Sequence, residues 1–401
     1  MSINEIIITP PEQKWDQVYQ LISWWKPEKV LPAKVMVVGA GALGNEVLKN
    51  LALLGVGNIL IIDFDQVEYS NLSRSVLYRQ KDVDAHRLKC EVAAERVKEL
   101  NPNVKVQYIA ANINTQIGLG VFRRMDAIIG CLDNRMARLS INRNAFKVNK
   151  HWVDGAIENM EGQATVYHPN GGCYECELTE VEKEILKRAR GCFDVAMRNQ
   201  KAGRIPTTPL SASIIGAVQT QEALKIIHGY DDNLLNGRMF RYEGMYMEVG
   251  VYNSEKTNED CNSHYHYTEI IEDSELSANM TVDSLLSLLT QKYGNESFVK
   301  LDQRFIFELY IEAEKREIAV QIPDDQLNEF ISKNNLRGEK DEEVKVTKVL
   351  EDNVLDENFP FKNLTLLQIG IPLLHIIRVI DTNKNEQFIE LTGDAGFLNF
   401  K

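Results

Sequence analysis

Gly39-Ala40-Gly41-Ala42-Leu43-Gly44 is the first stretch of the chain whose residue types and spacing suit a chemical task. It follows the apolar run Lys34 to Val38 and opens a segment of helical periodicity. Glycines there let backbone N–H groups approach a phosphate at a helix N-terminus, where the dipole favours negative charge. Asp63 stands 19 residues after Gly44, at the end of the next apolar run (NILIID). A carboxylate so placed holds ribose hydroxyls. Alone, this pair describes a Rossmann-type nucleotide site, commonly one for NAD or FAD. No Walker A lysine follows the glycines, so kinase-like chemistry at the β/γ-phosphates is not indicated.

What comes next changes the chemistry. Asp63-Phe64-Asp65 leads through Asn71 to Arg74, and His86-Arg87-Leu88-Lys89 follows. A dinucleotide enzyme has no use for an arginine here, whereas attack of a carboxylate on an α-phosphate does. Two anions must then meet at one phosphorus, which needs fixed cations and a metal ion. Arg74 and Lys89 supply cations. Asp133, in Gly130-Cys131-Leu132-Asp133-Asn134-Arg135, sits past a strand's C-terminal end, where it can hold Mg²⁺. Asn134 and Arg138 begin the following helix and are expected to line the nucleotide. Any one of these residues could instead serve in a surface ion pair. Their ordered succession is the argument.

A second constellation has metal-ligand spacing. Cys173 and Cys176 form a C-x₂-C knuckle, and Cys261 and His264 repeat the spacing far downstream. Three thiolates and one imidazole complete a tetrahedral zinc site with no open position, so the metal would be structural. His266 competes with His264 for the last place. The plainer reading is that these are free buried cysteines.

These residues need a scaffold. Apolar runs at Lys34–Val38, Asn58–Asp63, Val104–Ile109 and Ala127–Cys131 read as strands, with Gly44–Leu54 and Asp84–Glu99 as helices between them. Alternation of this kind predicts an α/β, Rossmann-like, doubly wound and mostly parallel sheet. Further strands are expected at Trp152–Ala156 and Gly162–His168, and a long helix at Leu210–His228. Past residue 265 the texture becomes that of an α+β domain. Short β-rich runs (Ser297–Leu301, Arg304–Ile311, Glu317–Ile322) surround a helix at Val282–Tyr293 capped by Thr281, and Arg337–Glu343 reads as an exposed loop. Leu364, Leu366, Leu367, Ile369 and the run Ile371–Ile380 are expected to build its core. Two domains are expected, residues 1–265 and 266–401. The net charge of −13 falls almost wholly on the second, because residues 265–401 carry 26 acidic and 14 basic side chains. That balance repels nucleic acid and suits a basic protein partner. No signal peptide or membrane span is recognisable, so a cytoplasmic location is expected.

The ordered motifs GAGALG, DFDQVEYSNLSR, HRLK and CLDNRMAR, followed by the metal motif, resemble the ThiF/MoeB/ubiquitin-activating enzyme superfamily over residues 15–265. The resemblance implies ATP-dependent adenylation of the C-terminal carboxylate of a ubiquitin-like or sulfur-carrier protein. It assigns the ribose to Asp63, the phosphates to Asn71, Arg74 and Lys89, and Mg²⁺ to Asp133. It also implies a crossover loop, here Glu177 to Thr208, which bears a thioester cysteine in conjugation pathways. Cys192, beside Lys187, Arg188 and Arg190, is the candidate nucleophile, with a conjugating-type enzyme as onward partner. The appended domain would then be ubiquitin-fold-like. Three alternatives stand beside this reading: sulfur-carrier activation without an enzyme thioester, adenylation of a tRNA-bound carboxylate, and a scaffold with a relic site. Many relatives carry an N-terminal arginine that reaches across a homodimer. Lys14 to Trp25 has none, so the expected homodimer would complete its site differently.

Overall fold

Five short apolar runs become the parallel half of one large sheet. The computed structural model describes residues 15–189, 206–254, 257–258, 260–312, 314–336 and 344–400. In it β1 (Lys34–Val38), β2 (Asn58–Ile62), β3 (Lys105–Ile109), β4 (Ala127–Gly130) and β5 (Trp152–Glu158) align in the order β3-β2-β1-β4-β5. All four pairings among them are parallel. β2 and β4 are buried along their whole length, as strands covered on both faces must be. β6 (Glu161–Tyr167), β7 (Arg238–Glu243) and β8 (Glu248–Asn253) extend the sheet as an antiparallel meander. The chain runs outward from β1 through β2 to β3, then crosses back to lay β4 on the other side of β1. That reversal opens a crevice at the strands' C-terminal ends.

The main helices of this domain are α1 (Ala42–Leu54), α2 (Lys89–Leu100), α3 (Leu119–Arg123), α4 (Arg135–Lys147) and α5 (Pro209–His228). α5 starts with Thr208 accepting the Ser211 N–H at 3.2 Å and with Pro209 in its first turn. One sequence expectation needs correcting. Asp84–Glu99 is not a single helix, because a short helix ends at Asp84 and α2 begins only at Lys89. Between them His86 adopts φ +50°, and residues 87–89 pair with residues 65–67: Val67 donates to the Arg87 carbonyl and Lys89 to that of Asp65, both at 2.8 Å. Long-range pairing therefore wins over local helical periodicity, and it brings Lys89 beside the Asp63–Asp65 turn.

The C-terminal part folds around helix α6 (Val282–Tyr293), with Thr281 accepting the Ser284 N–H as expected. Its larger sheet has the order β14-β10-β15-β16-β9, comprising Val354–Leu355, Phe298–Lys300, Ile376–Ile380, Glu386–Leu391 and Ile270–Asp273. Only β16 and β9 are parallel among the described pairs. A three-stranded sheet joins β11 (Phe305–Ile311), β12 (Arg316–Pro323) and β13 (Val344–Val349). Leu366, Ile369, Ile371, Ile377 and Val379 are buried with α6, but Leu367 is exposed and leaves the expected core. Arg337–Glu343 lies outside the described residues.

The two parts share a core. Leu374, Ile376 and Phe388 pack in one cluster with Phe122, Phe146 and Trp152 of the first. Glu390 is fully buried between Arg123 and Arg124, with Arg123 Nε at 2.6 Å. A Cβ on Gly118 or Gly120 would meet the 373–374 backbone at 2.3–2.5 Å, so glycine is required for this close approach. No helix among the described residues is long and apolar enough to cross a membrane.

Candidate nucleotide site and metal centre

Three strand ends converge on the crevice. Gly39 has φ +92°, and a Cβ there would lie 2.4 Å from the Cys131 carbonyl at the end of β4. A Cβ on Gly44 would lie 2.0 Å from the Gly39 carbonyl. Gly41 is different: no heavy atom lies within 4 Å of its Cβ position, so this glycine faces open space at the head of α1. The first-turn N–H groups of α1 lack intrahelical partners and point the same way.

Asp63 closes the floor. Its carboxylate accepts the Ala40 N–H at 2.7 Å and the Asp65 N–H at 2.8 Å. Burial raises its pKa, and the Lys89 charge opposes the rise. Lys89 Nζ lies 2.7 Å from Asp65. Arg74 donates to the Ser70 carbonyl at 2.6 Å and forms no ion pair among the described residues. Asp133 is exposed, two residues beyond Cys131. The glycine loop, Asp63, Asp65, Lys89 and Asp133 thus gather at the ends of β1, β2 and β4.

Three further expected ligands have partners within the chain. Asn71 is buried and accepts the Glu68 N–H at 2.9 Å. Asn134 caps α4 by accepting the Ala137 N–H at 2.8 Å. Arg138 donates to Asp154 at 3.1 Å and to the Leu132 carbonyl at 2.6 Å. Two residues the sequence reading passed over hold the loop itself. Asn45 donates to the Ala40 and Gly41 carbonyls, and Tyr78 donates to that of Ala40. No local pattern marks Tyr78, because its partner lies 38 residues away. The Cys90 thiol, pushed up to about 11 by burial, and the still higher Cys131 thiol are poor nucleophiles. Cys192 and Arg190 lie outside the described residues, as do the side chains of Lys187 and Arg188.

The four candidate metal ligands meet as the spacing predicts. Sγ of Cys173 lies 3.6 Å from those of Cys176 and Cys261, and Cys176 Sγ lies 3.5 Å from His264 Nε2. All four donor atoms fall within 4.8 Å of one another. Two Zn–S bonds of about 2.3 Å at the tetrahedral angle give an edge of about 3.8 Å, so the donor set fits zinc. His264, and not His266, joins the three thiols in the cluster; His266 Nδ1 meets the Phe146 carbonyl at 2.9 Å. Glu175, between the first two cysteines, accepts from Arg143 and from Ser263 of the second ligand segment, tying both knuckles to α4.

The ThiF family profile matches residues 18–263. The chain belongs to the ThiF family. Its ThiF region is 32% identical over 234 residues to the adenylyltransferase and sulfurtransferase MOCS3-1 of Zea mays, covering 58% of this chain and 47% of that protein. It is 33% identical over 235 residues to the SAMP-activating enzyme E1 of Haloferax volcanii, covering 58% and 80%. The match to the sulfur carrier protein adenylyltransferase of Thermus thermophilus is 31% over 224 residues, covering 54% and 77%. The chain thus spans about half the length of the maize relative and more of the prokaryotic ones. The solved structure of E. coli MccB with ATP shares the fold at a TM-score of 0.52 and 23% identity, over 64% of this chain and 75% of that one. The Rossmann-like, ThiF-type expectation from the motifs is met.

Proposed function

We propose that this chain uses ATP and Mg²⁺ to adenylate the C-terminal carboxylate of a small ubiquitin-like or sulfur-carrier protein. The observation that carries the reading is the gathering of the Gly39–Gly41 loop, Asp63, Lys89 and Asp133 at the ends of β1, β2 and β4. Asp63 holds the ribose. The N–H groups from Gly41 onward, with Arg74 and Lys89, hold the phosphates. Asp133 would hold Mg²⁺, which would supply positive charge where the carboxylate attacks the α-phosphorus and pyrophosphate leaves. Asn71, Asn134 and Arg138 keep the walls in place. The four-ligand zinc is structural and clamps residues 173–176 to residues 261–264.

The names of the relatives support this substrate class. An exposed apolar surface on the same sheet edge suits a carrier's globular part: Met160 on the β5–β6 turn, with Met245, Tyr246 and Met247 on the β7–β8 turn. The two turns are joined where Gly244 donates to the Met160 carbonyl at 3.0 Å. In the conjugation reading, the Cys192 thiolate attacks the acyl-adenylate carbonyl, AMP leaves, and a conjugating-type enzyme takes the acyl group from the thioester. In the second reading a sulfur donor attacks the adenylate directly, and the names of the maize and Thermus relatives favour it. Homodimeric assembly and a cytoplasmic location belong to the same proposal.

The test is to incubate the protein with ATP, Mg²⁺ and candidate carriers and to run non-reducing gels. Carrier-dependent pyrophosphate release supports adenylation. A thiol-sensitive adduct lost in Cys192→Ala selects conjugation, and pyrophosphate release with acyl-adenylate but no adduct selects sulfur-carrier activation. No pyrophosphate release with any carrier would count against both.

A further inference from the structure

Asn45 and Tyr78 share one acceptor. Asn45, fully buried in the first turn of α1, donates its amide to the Ala40 carbonyl at 2.8 Å and the Gly41 carbonyl at 2.9 Å. Its own carbonyl accepts the Leu77 N–H at 2.9 Å, so every polar atom of the side chain is engaged. Tyr78, the next residue, donates its hydroxyl to the same Ala40 carbonyl at 2.5 Å and lies 3.3 Å from the Lys89 carbonyl.

The consequence follows from peptide geometry. In a planar trans peptide the C=O and the following N–H point in opposite directions. Drawing the Ala40 carbonyl inward therefore aims the Gly41 N–H outward, into the space that Gly41 leaves open. The same pair ties the loop to residues 74–78, which carry Arg74, and to the start of α2, which carries Lys89. We propose that Asn45 and Tyr78 are positioning residues for the triphosphate: they fix the anion-binding face of the glycine loop and set it in register with the Arg74 and Lys89 segments. This rests on the ATP-binding reading above. Neither residue touches the nucleotide, and both act through the loop.

The test compares ATP with adenosine, which has no phosphate, in direct binding measurements on the full chain. Tyr78→Phe removes one donor and keeps the ring. Asn45→Asp replaces the donor to the two carbonyls with an acceptor. Losing one hydrogen bond corresponds to about three- to tenfold weaker ATP binding for Tyr78→Phe, with a larger loss for Asn45→Asp. Adenosine affinity should fall clearly less than ATP affinity, because the Gly41 N–H faces phosphate, whereas the loop reaches the ribose only through the Ala40 N–H bond to Asp63. The KM for ATP should rise while that for the carrier stays unchanged. If the buried Asn45→Asp variant does not fold, Tyr78→Phe alone decides. Unchanged ATP affinity in a Tyr78→Phe protein of lowered melting temperature, or equal losses for ATP and adenosine, would overturn the proposal and leave a purely structural contact. A wild-type protein that binds adenosine and ATP equally well would overturn the role of the loop itself. One that binds neither would overturn the ATP reading, and the positioning role with it.

Discussion

The Lys89 ammonium sits 2.7 Å from the Asp65 carboxylate at the mouth of the crevice, with Lys89 only 13% exposed and Asp65 55% exposed. The cation is held by the fold, while its partner faces solvent. On the proposed nucleotide reading, an arriving phosphate would take over the ion pair without dragging Lys89 from its place. Lys89→Ala is expected to slow carrier-dependent pyrophosphate release by about 10²–10³-fold, the scale of losing one fixed donor to a developing charge. Asp65→Asn should cost much less, because it leaves the lysine in place. Steady-state rates for the two variants check the order, and equal losses would contradict it.

Glu390 is expected to govern cohesion between the first part of the chain and the C-terminal part. It is fully buried and takes both Arg123 and Arg124. Breaking a buried pair on one side costs about 3–5 kcal/mol. Glu390→Ala should fall at the low end of that range, because both arginines are partly exposed and can rehydrate. Denaturant unfolding would measure it. A wild-type midpoint would show that the shared apolar core alone holds the two parts together.

The zinc proposal has its own readout. Purified protein should carry about one zinc per chain, and Cys176→Ser or Cys261→Ser should carry none. Metal present at about 1,000 times its dissociation constant stabilises a fold by about 4 kcal/mol. A strong chelator should therefore lower the melting temperature of the wild type and leave the cysteine variants unchanged. Zinc-free protein with full thermal stability would sink the assignment.

His151 predicts a pH dependence. Burial first, and the neighbouring His168 second, push its imidazole down to about 4. An unfolded histidine titrates near 6.5. The fold thus favours the neutral ring, so this contribution is fully present above about 6.5 and is lost as the pH falls through about 4. The linkage is at most about 3 kcal/mol, and partial exposure reduces it. Between pH 7.5 and 4.5, His151→Leu should lose less stability than wild type. Parallel curves for the two proteins would remove His151 from the account.

The strands and the glycine loop were legible because apolar runs broken by Gly, Asn-Pro and acidic turns have few alternatives. The Cys173, Cys176, Cys261 and His264 cluster was legible because C-x₂-C and its C-x₂-H echo carry their geometry in their spacing. The split between Asp84 and Lys89 was not, since it depends on pairing with residues 65–67 across the sheet edge. Leu367 looked like core by composition, and only the turn that buries Leu366 and Ile369 decides which side faces in. The contacts that Asn134 and Arg138 make within the chain, the α4 cap and the buried Asp154, could not be read from their motif positions. The close approach of Gly118 and Gly120 to the C-terminal part is likewise invisible until residues 373–374 are placed beside them.

The most direct test of the central claim is ATP–pyrophosphate exchange in the presence of a candidate carrier protein. Labelled pyrophosphate should enter ATP only when the carrier retains its C-terminal carboxylate, and exchange should fall by about 10²-fold or more in Arg74→Ala and in Asp133→Asn. Exchange that persists unaltered in both variants would contradict the site described here. The absence of exchange in the wild type with every carrier tried would contradict the adenylation reading as a whole.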